Sequence, residues 1–528
     1  MTHASTVPAE TDDRFSYDSL PYPSKFFLQT HPDRLAAAGI LYGMYAADPQ
    51  ACRVLELGCG NGSNLIAQAF LSPRSTFIGI DLAQTHIDIA IKSADELGLE
   101  NVEFRQMDVM DMTAAEFGRF DYITAHGLFA WIPEPVRERV LSIFQEMLTP
   151  NGIGYISYNA YPGAYAREMM RSMMRFHTDG IDEPHQKVNT AIGLVSVLAN
   201  NATEREIHRR ILEFELKRHR DHFAADIFHD DLGEIYQPFY FHEFALLLDE
   251  HDLQFLSEAE IHASSTQGLG QDAVELLNSI SDRVRREQYL DFFRGRVFRQ
   301  TLFCRKGIEL DSEPSVDLLD KLFLSSTLRP VEHIDDIASN KIEKFRSTKG
   351  QQMQIDHPLT KAALTHLGEI WGASIATTEL LQAAKEKLVA AGSLDENWEQ
   401  QFETTRAILL QVALGSDMIE LHSYSPEAST KPSYKPKVNR LARWQLRDAN
   451  NVITLLHKDL KLSDQTSRRL LELMDGSRSQ VELERELRPF IKNVDDLDDD
   501  GKRELLGSLK SWIDDSVKDL ARLGLFEL

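Results

Sequence analysis

Cysteine, long apolar runs and positive charge are all scarce in this sequence. The 528 residues include three cysteines, Cys52, Cys59 and Cys304, and no Cys-x-x-Cys pair. We therefore expect neither a disulfide framework nor a structural zinc site, and we expect a reducing, cytoplasmic location. No stretch approaches about eighteen continuous apolar residues, and residues 1–13 lack a signal-peptide core, which argues against a membrane span and secretion.

Lysine and arginine number 57 against 82 acidic residues, a net charge of −25. Such a surface repels phosphate backbones, so nucleic acid is not expected as a partner.

From residue 53 onward, short apolar strands alternate with amphipathic helices. The predicted strands are 53–57, 76–80, 101–107, 120–125 and 153–158. This alternation predicts an α/β fold with a parallel, Rossmann-like sheet that is covered by helices on both faces. Residues 161–235 show no strand pattern, and strand signals resume at 253–256 and 297–304. We therefore expect one sheet that is interrupted by helical insertions.

Composition divides the chain into four predicted parts. They are an N-terminal tail and helix at 1–50, an α/β domain at 51–306 with helical insertions at about 161–235 and 261–296, a middle winged-helix-like module at 310–424, and a C-terminal helical module at 439–528. We expect both of these last modules to be mainly helical and winged-helix-like. Within the middle module, residues 310–350 are polar and look like a connector. Residues 425–438 contain Ser, Pro and Lys with few apolar side chains, which predicts a linker.

A glycine-rich segment, Glu56-Leu57-Gly58-Cys59-Gly60-Asn61-Gly62, joins the first predicted strand to a helix. Glycine has no Cβ atom, so backbone here can approach a bound nucleotide closely. The predicted cofactor contacts in this loop are Gly58, Gly60 and Asn61. Glycine spacing alone is a weak signal, because an NAD-binding domain or a vestigial site would share it.

Three acidic residues indicate which cofactor the loop binds. Asp81 ends the second strand, where a carboxylate can accept hydrogen bonds from ribose hydroxyls, and Leu82 follows it in the predicted binding set. Asp108 and the backbone of Val109 follow the third strand and can meet the adenine amine and ring nitrogen. Glu56 would repel a pyrophosphate, but it suits a zwitterionic cofactor with a cationic sulfur. Together these residues predict S-adenosyl-L-methionine as the cofactor.

With these residues in place, the chain resembles bacterial class I methyltransferases that carry a methyltransferase regulatory domain, a group that includes the rickettsial protein-lysine methyltransferases. The likeness covers about residues 15–306 and is looser over 310–528. The segments that carry it, besides the glycine loop, are Tyr17-Asp18-Ser19-Leu20-Pro21-Tyr22, Thr30-His31-Pro32-Asp33-Arg34-Leu35, His126-Gly127-Leu128-Phe129-Ala130-Trp131-Ile132-Pro133, Ser157-Tyr158-Asn159-Ala160-Tyr161-Pro162-Gly163, His229-Asp230-Asp231-Leu232 and Pro238-Phe239-Tyr240-Phe241. The resemblance implies N-methylation of an accessible lysine on a protein substrate, for instance an outer-membrane or surface protein. It also allows a homodimer.

Candidate acceptor-side residues follow the fourth and fifth strands. His126 comes directly after the fourth strand, so we expect it to lie beside the cofactor and to orient or deprotonate the acceptor amine. A lysine amine has a reference pKa of about 10.4 and must lose its proton before it can accept a methyl group. Tyr158 and Asn159 end the fifth strand, and Tyr22 lies in the N-terminal segment that is expected to fold over the cofactor. The alternative for each of these residues is a packing role.

Three functions stay open on the sequence alone. A protein methyltransferase is favoured, because two accessory modules suit a large substrate. The alternatives are a small-molecule methyltransferase with a helical lid and a non-catalytic regulatory protein that binds S-adenosylmethionine. The histidines between 219 and 229 are irregularly spaced, so no metal site is predicted.

Overall fold

The N-terminal part of the molecule is a short turn followed by a helix. The computed structural model describes residue 20 and residues 25–201, 206–220, 224–393, 397–428, 432–447, 449, 451–462, 464–490 and 499–527. A 3₁₀ turn at Leu28–Thr30 precedes helix α1 at Pro32–Leu41. His31 caps α1, because its Nδ1 accepts a hydrogen bond from the Asp33 amide, and Pro32 occupies the first helical position, where a missing N–H is tolerated.

A seven-stranded sheet forms the centre of the first domain, in the order β3-β2-β1-β4-β5-β7-β6. Its strands are β1 (Arg53–Leu57), β2 (Thr76–Asp81), β3 (Val102–Gln106), β4 (Phe120–Ala125), β5 (Leu148–Asn159), β6 (Leu253–Glu258) and β7 (Phe298–Arg305). Strands β1 to β5 pair in parallel, and β7 runs antiparallel to both β5 and β6. The predicted α/β, Rossmann-like fold is confirmed.

Helices cover the sheet and form the insertions. They are α2 (Ser63–Leu71), α3 (Gln84–Leu97), α4 (Ala114–Phe117), α5 (Glu134–Met147), α6 (Ala164–His177), α7 (Pro184–Asn201), α8 (Glu206–Arg220), α9 (Ala224–Asp226), α10 (Phe241–Glu250), α11 (Gln271–Asn278) and α12 (Arg283–Arg294). Helix α3 is amphipathic, and its buried residues recur at helical spacing: Ile87, Ala90, Ala94 and Leu97. Gly98 ends it in the left-handed conformation, at φ 58°.

The insertion formed by α6 to α9 has a small core of its own. Its buried residues include Met170, Met174, Val188, Val195 and Leu212. A π-helical turn at Ile227–Asp231 closes it. His219 Nε2 lies 3.1 Å from Asp231 Oδ2, so that histidine serves the packing of the insertion. Within the described ranges there is no group of three His, Cys, Asp or Glu side chains that could hold a metal ion.

The middle domain contains strands that the sequence did not indicate. Residues 310–350, expected to be a connector, include β8 (Phe323–Ser326), β9 (Arg329–Pro330) and β10 (Glu343–Arg346), and β11 (Gln352–Ile355) follows them. The remaining elements are α13 (Pro358–Glu369), β12 (Ile375–Ala376), α14 (Thr377–Ala390), α15 (Trp398–Gly415) and β13 (Ile419–His422). Strand β8 is central to one sheet, between β12 and β13. Strands of two to four residues are too short to show an alternating pattern.

The C-terminal domain combines helices with one β-hairpin. Its elements are α16 (Arg440–Gln445), β14 (Asn451–Ile453), β15 (Asp459–Lys461), α17 (Gln465–Leu473), α18 (Gln480–Leu487) and α19 (Asp499–Arg522). Of the predicted linker at 425–438, residues 429–431 lie outside the described residues. In the part of the chain that the structure covers, no helix is both long and apolar enough to cross a bilayer.

Helix α1 joins the first domain to the middle domain. A single hydrophobic core includes Leu35 of α1, Tyr122 and Leu256 of the sheet, and Leu324 and Leu364 of the middle domain. All five side chains are fully buried. The two domains therefore share one core, to which α1 contributes.

A buried ion cluster fixes the far edge of the sheet. Arg299 on β7 is fully buried. Its guanidinium donates to Glu258 at 2.6 Å, to Asp291 at 2.8 Å and to Glu287 at 2.9 Å. The negative charges of three carboxylates are thus neutralised mainly by one guanidinium. Arg296 also donates to Asp291, at 2.5 Å.

Replacing this cation should destabilise the domain strongly. In Arg299→Met, buried carboxylates lose their partner, which typically costs about 3–5 kcal/mol. For a domain of this size we expect a fall in melting temperature of at least about 6 °C. Arg485→Met, at an exposed position of α18, is the control and should shift the melting temperature by less than about 2 °C. An unchanged melting temperature in Arg299→Met would show that the cluster does not stabilise the fold.

Candidate active site

The glycine loop follows β1 at the carboxyl edge of the sheet. The amides of Gly58 and Cys59 both donate to the carbonyl of Ile80, at 2.8 and 3.0 Å, which ties the loop to the end of β2. Gly62 has a φ of 73°, and a Cβ atom there would lie 2.7 Å from Ala90 and Phe104. Gly60 has a φ of 53° and open space where its Cβ would point. The loop is therefore held tightly at Gly62, while backbone at Gly60 borders open space.

Asp81 lies against this loop as expected from the sequence. Its Oδ2 accepts a hydrogen bond from the Gly60 amide at 2.8 Å, and its Oδ1 accepts one from Ala83 at 2.9 Å. Each carboxylate oxygen has a second lone pair, so both can also accept from hydroxyl groups. The structure places the Asp81 carboxylate directly beside the loop backbone.

The ends of β2 and β3 lie side by side. The Met107 amide donates to the Asp81 carbonyl at 3.0 Å. Asp108 is exposed and caps a 3₁₀ turn at Val109–Asp111 by accepting from the Met110 amide at 2.9 Å. Leu82 is 39% exposed. Leu82, Asp108 and Val109 are thus brought to one edge of the sheet, next to Asp81.

Glu56 is a buried carboxylate with an unpartnered oxygen. The residue is 3% exposed. Its Oε1 accepts a hydrogen bond from Asn64 Nδ2 at 2.8 Å, and its Oε2 has no hydrogen-bond partner among the described residues. Burial raises the pKa of Glu56 to about 7, the Asn64 hydrogen bond lowers it, and Asp81 raises it further. An ammonium group beside Oε2 would satisfy this carboxylate and hold it in the ionised form.

His126 lies at the end of β4 within a group of rings. Its Nδ1 is 2.7 Å from the hydroxyl of Tyr155. The Phe27 ring lies over the imidazole, with centroids 3.7 Å apart, and Phe298 approaches edge-on at 6.1 Å. Burial lowers the pKa of His126 to about 3, and the positive charge of Lys25 lowers it further. The imidazole is therefore neutral at physiological pH.

Sequence reasoning missed Tyr155 and Phe27. Tyr155 pairs with Thr124 in the parallel register of β4 and β5. Thr124 lies two residues before His126, so the strand alternation brings Tyr155 and His126 to the same face of the sheet. Alternation along β5 could have indicated this side chain. Phe27 comes from a distant part of the chain, and no local pattern reveals its contact with His126.

The other predicted acceptor-side residues lie in different places. Tyr158 points to the opposite face of β5 from Tyr155, is 1% exposed and stacks on Phe244 at 4.2 Å. It therefore packs in the core instead of forming a pocket wall beside His126, because its position in the strand alternation selects that face. Asn159 falls on the Tyr155 face, and its Oδ1 is buried with no partner among the described residues. Tyr22 lies outside the described residues.

Comparisons with known proteins agree with this arrangement. Three family models match successive parts of the chain: a methyltransferase domain at 48–214, a "predicted methyltransferase regulatory domain" at 224–305, and a "PKMT, C-terminal winged helix domain" at 435–525. An uncharacterized protein of Rickettsia prowazekii is 31% identical over 385 residues, covering 71% of this chain and 69% of that protein. The structure of PKMT2 from Rickettsia typhi in complex with AdoHcy matches with a TM-score of 0.83 and 25% identity, over 96% of this chain and 100% of that one. The chain belongs to this family of S-adenosylmethionine-dependent methyltransferases.

The family assignment bears on the enzyme class, the cofactor and the C-terminal module. The enzyme class and the cofactor, S-adenosylmethionine, are as the sequence indicated. The winged-helix model matches the C-terminal module at 435–525, in agreement with the winged-helix-like C-terminal modules that the sequence indicated. The β14–β15 hairpin lies within the matched range, and we call it the wing. A second uncharacterized protein of Rickettsia prowazekii is 32% identical over 234 residues, covering 44% of this chain and 93% of that protein.

The residues present fit the methyltransferase cofactor. The unpartnered Glu56 oxygen suits the cofactor's amino group, since a buried carboxylate needs a cation or a donor. The loop holds no lysine or arginine between 54 and 71, as expected for a ligand without phosphate. Asp81 retains acceptor capacity beside open space at Gly60.

Cofactor binding should weaken as the pH falls through the pKa of Glu56. Only ionised Glu56 attracts an ammonium group, and a pKa of about 7 means that the carboxyl is mostly protonated at lower pH. Between about pH 7 and 5.5 we expect affinity for S-adenosylmethionine to fall about tenfold, as linkage requires. Calorimetry at several pH values measures this effect.

Two variants make the pH series decisive. Glu56→Gln should bind more weakly at neutral pH and should lose the pH dependence. Asp111→Asn, at an exposed residue of the neighbouring turn, should keep it. A pH dependence that survives in Glu56→Gln would assign the titration to another group.

Proposed function

We propose that this methyltransferase N-methylates lysine side chains of a protein substrate. The observation that carries the proposal is the acceptor side of the site, where a neutral imidazole, a tyrosine hydroxyl and a phenyl ring meet. The match to PKMT2, whose name denotes a protein lysine methyltransferase, supports it over 96% of this chain. Two accessory domains beyond the catalytic domain are consistent with a large substrate.

The cofactor contacts are proposed from the edge of the sheet. Glu56 binds the amino group, Asp81 the ribose hydroxyls, and Asp108 with the backbone of Val109 the adenine. Leu82 packs on the base. Backbone of the loop at Gly58, Gly60 and Asn61 lies along the ligand. When bound, S-adenosylmethionine supplies an electrophilic methyl group, and the protein's task is to hold and orient the acceptor.

His126 is proposed to orient the acceptor amine. A group with a pKa of about 3 does not retain a proton taken from lysine, so storing the proton is not its role. A neutral imidazole can still accept a hydrogen bond from an amine, and Tyr155 fixes the ring through Nδ1. Burial beside Phe27 also favours the uncharged, nucleophilic form of lysine, because desolvation penalises the ammonium. The unpartnered Asn159 Oδ1 offers a second acceptor.

The wider expectations from the sequence remain proposals. An outer-membrane or surface protein as substrate, a cytoplasmic location and a homodimer each need their own measurement. The proposal in this section depends on none of them. It concerns the acceptor group alone.

Methylation of a lysine can be tested directly. The protein is incubated with radiolabelled S-adenosylmethionine and a lysate of its own cells, and labelled bands are analysed by mass spectrometry for methylated lysine. We expect His126→Asn to lower the rate about tenfold to a hundredfold through lost positioning. Tyr155→Phe, which removes one hydrogen bond, should lower it by up to about tenfold. Affinity for the cofactor should change less than about threefold in both variants.

Tyr158→Phe is the matched control, because its hydroxyl lies on the other face of β5 and should leave the rate unchanged. Label that appears only in small molecules would contradict the proposal and favour a metabolite methyltransferase. Cofactor binding without label in any acceptor would indicate a regulatory protein instead. Methylation at residues other than lysine would also contradict it.

A further inference from the structure

A short segment links the cofactor site to the C-terminal domain. We call residues 27–33 the joint segment. On its first side, the Phe27 amide donates to Asn64 Oδ1 at 3.0 Å, and Asn64 Nδ2 donates to both Thr30 and Glu56. Thr30 Oγ1 in turn donates to the Phe27 carbonyl at 2.7 Å. These bonds hold the Phe27 ring over His126.

On its second side, the joint segment meets the wing of the C-terminal domain. The His31 ring packs against the ring of His457, with centroids 3.7 Å apart and planes tilted by 33°. His457 lies in the turn between β14 and β15, at a φ of 55°. Its Nε2 is 3.1 Å from the hydroxyl of Tyr424, a residue just beyond β13. Both histidines are at most 5% exposed.

The middle domain fixes the end of the same segment. Asp33 is 1% exposed. Its Oδ2 lies 2.7 Å from His422 Nδ1, and its Oδ1 accepts from the amide and the hydroxyl of Ser423 at 2.7 and 2.8 Å. Thus Asp33 is held by the middle domain, and His31 by the wing.

The contact between the two histidine rings favours their neutral forms. Burial lowers the pKa of His31 to about 4 and that of His457 well below its usual value. Two uncharged imidazoles can stack without repulsion. His31 Nε2 has no hydrogen-bond partner among the described residues, so that side of the ring is located by packing. Removing the His457 ring would free it.

We propose that His457 is a positioning residue, which holds Phe27 over His126 through His31 and the joint segment. The C-terminal winged helix then controls the acceptor side of the active site, although its own residues lie outside it. The segment between Phe27 and His31 contains a single 3₁₀ turn, so its own backbone bonds define its position weakly. Contacts from both sides are needed to fix it. This inference does not depend on which acceptor is methylated.

The position of Phe27 can be observed at His126 without an acceptor. The full chain is labelled with ¹³C at histidine Cε1 and saturated with S-adenosylhomocysteine, and the His126 signal is assigned with His126→Asn. A phenyl ring at 3.7 Å imposes a ring-current shift on that signal. His457→Asn retains a residue that tolerates positive φ but removes the imidazole. We expect the His126 signal to move towards the position of a free histidine, with cofactor affinity changed by less than about threefold.

Two further variants guard against a purely structural effect. Tyr424→Phe removes only the hydroxyl that binds His457, and it should move the His126 signal in the same direction by a smaller amount. His333→Asn, at an exposed position of the middle domain, should leave it unchanged. An unchanged His126 signal in folded His457→Asn overturns the proposal, as does a loss of cofactor binding with movement of all histidine signals. If His457→Asn does not fold, the same signal in Tyr424→Phe decides.

Discussion

A carboxylate that is buried without a countercharge must either stay protonated or be met by a ligand. Glu56 is in this position, with one oxygen bonded to Asn64 and the other unpartnered among the described residues. The features around it follow from that constraint. The glycine loop borders open space at Gly60, Asp81 fixes the loop backbone, and Asn64 links Glu56 to the joint segment. Cofactor binding and the architecture of the N-terminal segment are therefore connected through one side chain.

The accessory domains contact the N-terminal segment that lies beside the site. Helix α1 shares a core with the sheet and the middle domain, and its N-cap residue, His31, contacts His457 of the C-terminal wing. The helical insertion adds a contact from the other direction, because His229 Nε2 lies 2.7 Å from the Leu20 carbonyl and Lys25 pairs with Asp226 at 2.6 Å. The N-terminal chain is thus held by every domain of the molecule.

The sheet and the loop could be predicted from the sequence because their signals are local. Apolar strands with intervening amphipathic helices define the sheet, and glycines at fixed spacing after β1 define the loop. The strands at 323–346 and the wing could not be predicted, since runs of two to four residues carry no usable period. On the acceptor side, Tyr158 was expected beside His126, yet alternation along β5 places Tyr155 there. The contacts of Phe27 and His457 join residues that are far apart in the chain, so no local sequence pattern predicts them.

We expect the unpartnered oxygen of Glu56 to receive the amino group of the cofactor. A crystal structure of the protein with S-adenosylhomocysteine tests this most directly. We predict the ligand's amino nitrogen within about 3 Å of Glu56 Oε2, a hydrogen-bond distance, and the ribose hydroxyls on Asp81. A bound ligand whose amino group lies elsewhere, with Glu56 Oε2 still unpartnered, would contradict the claim.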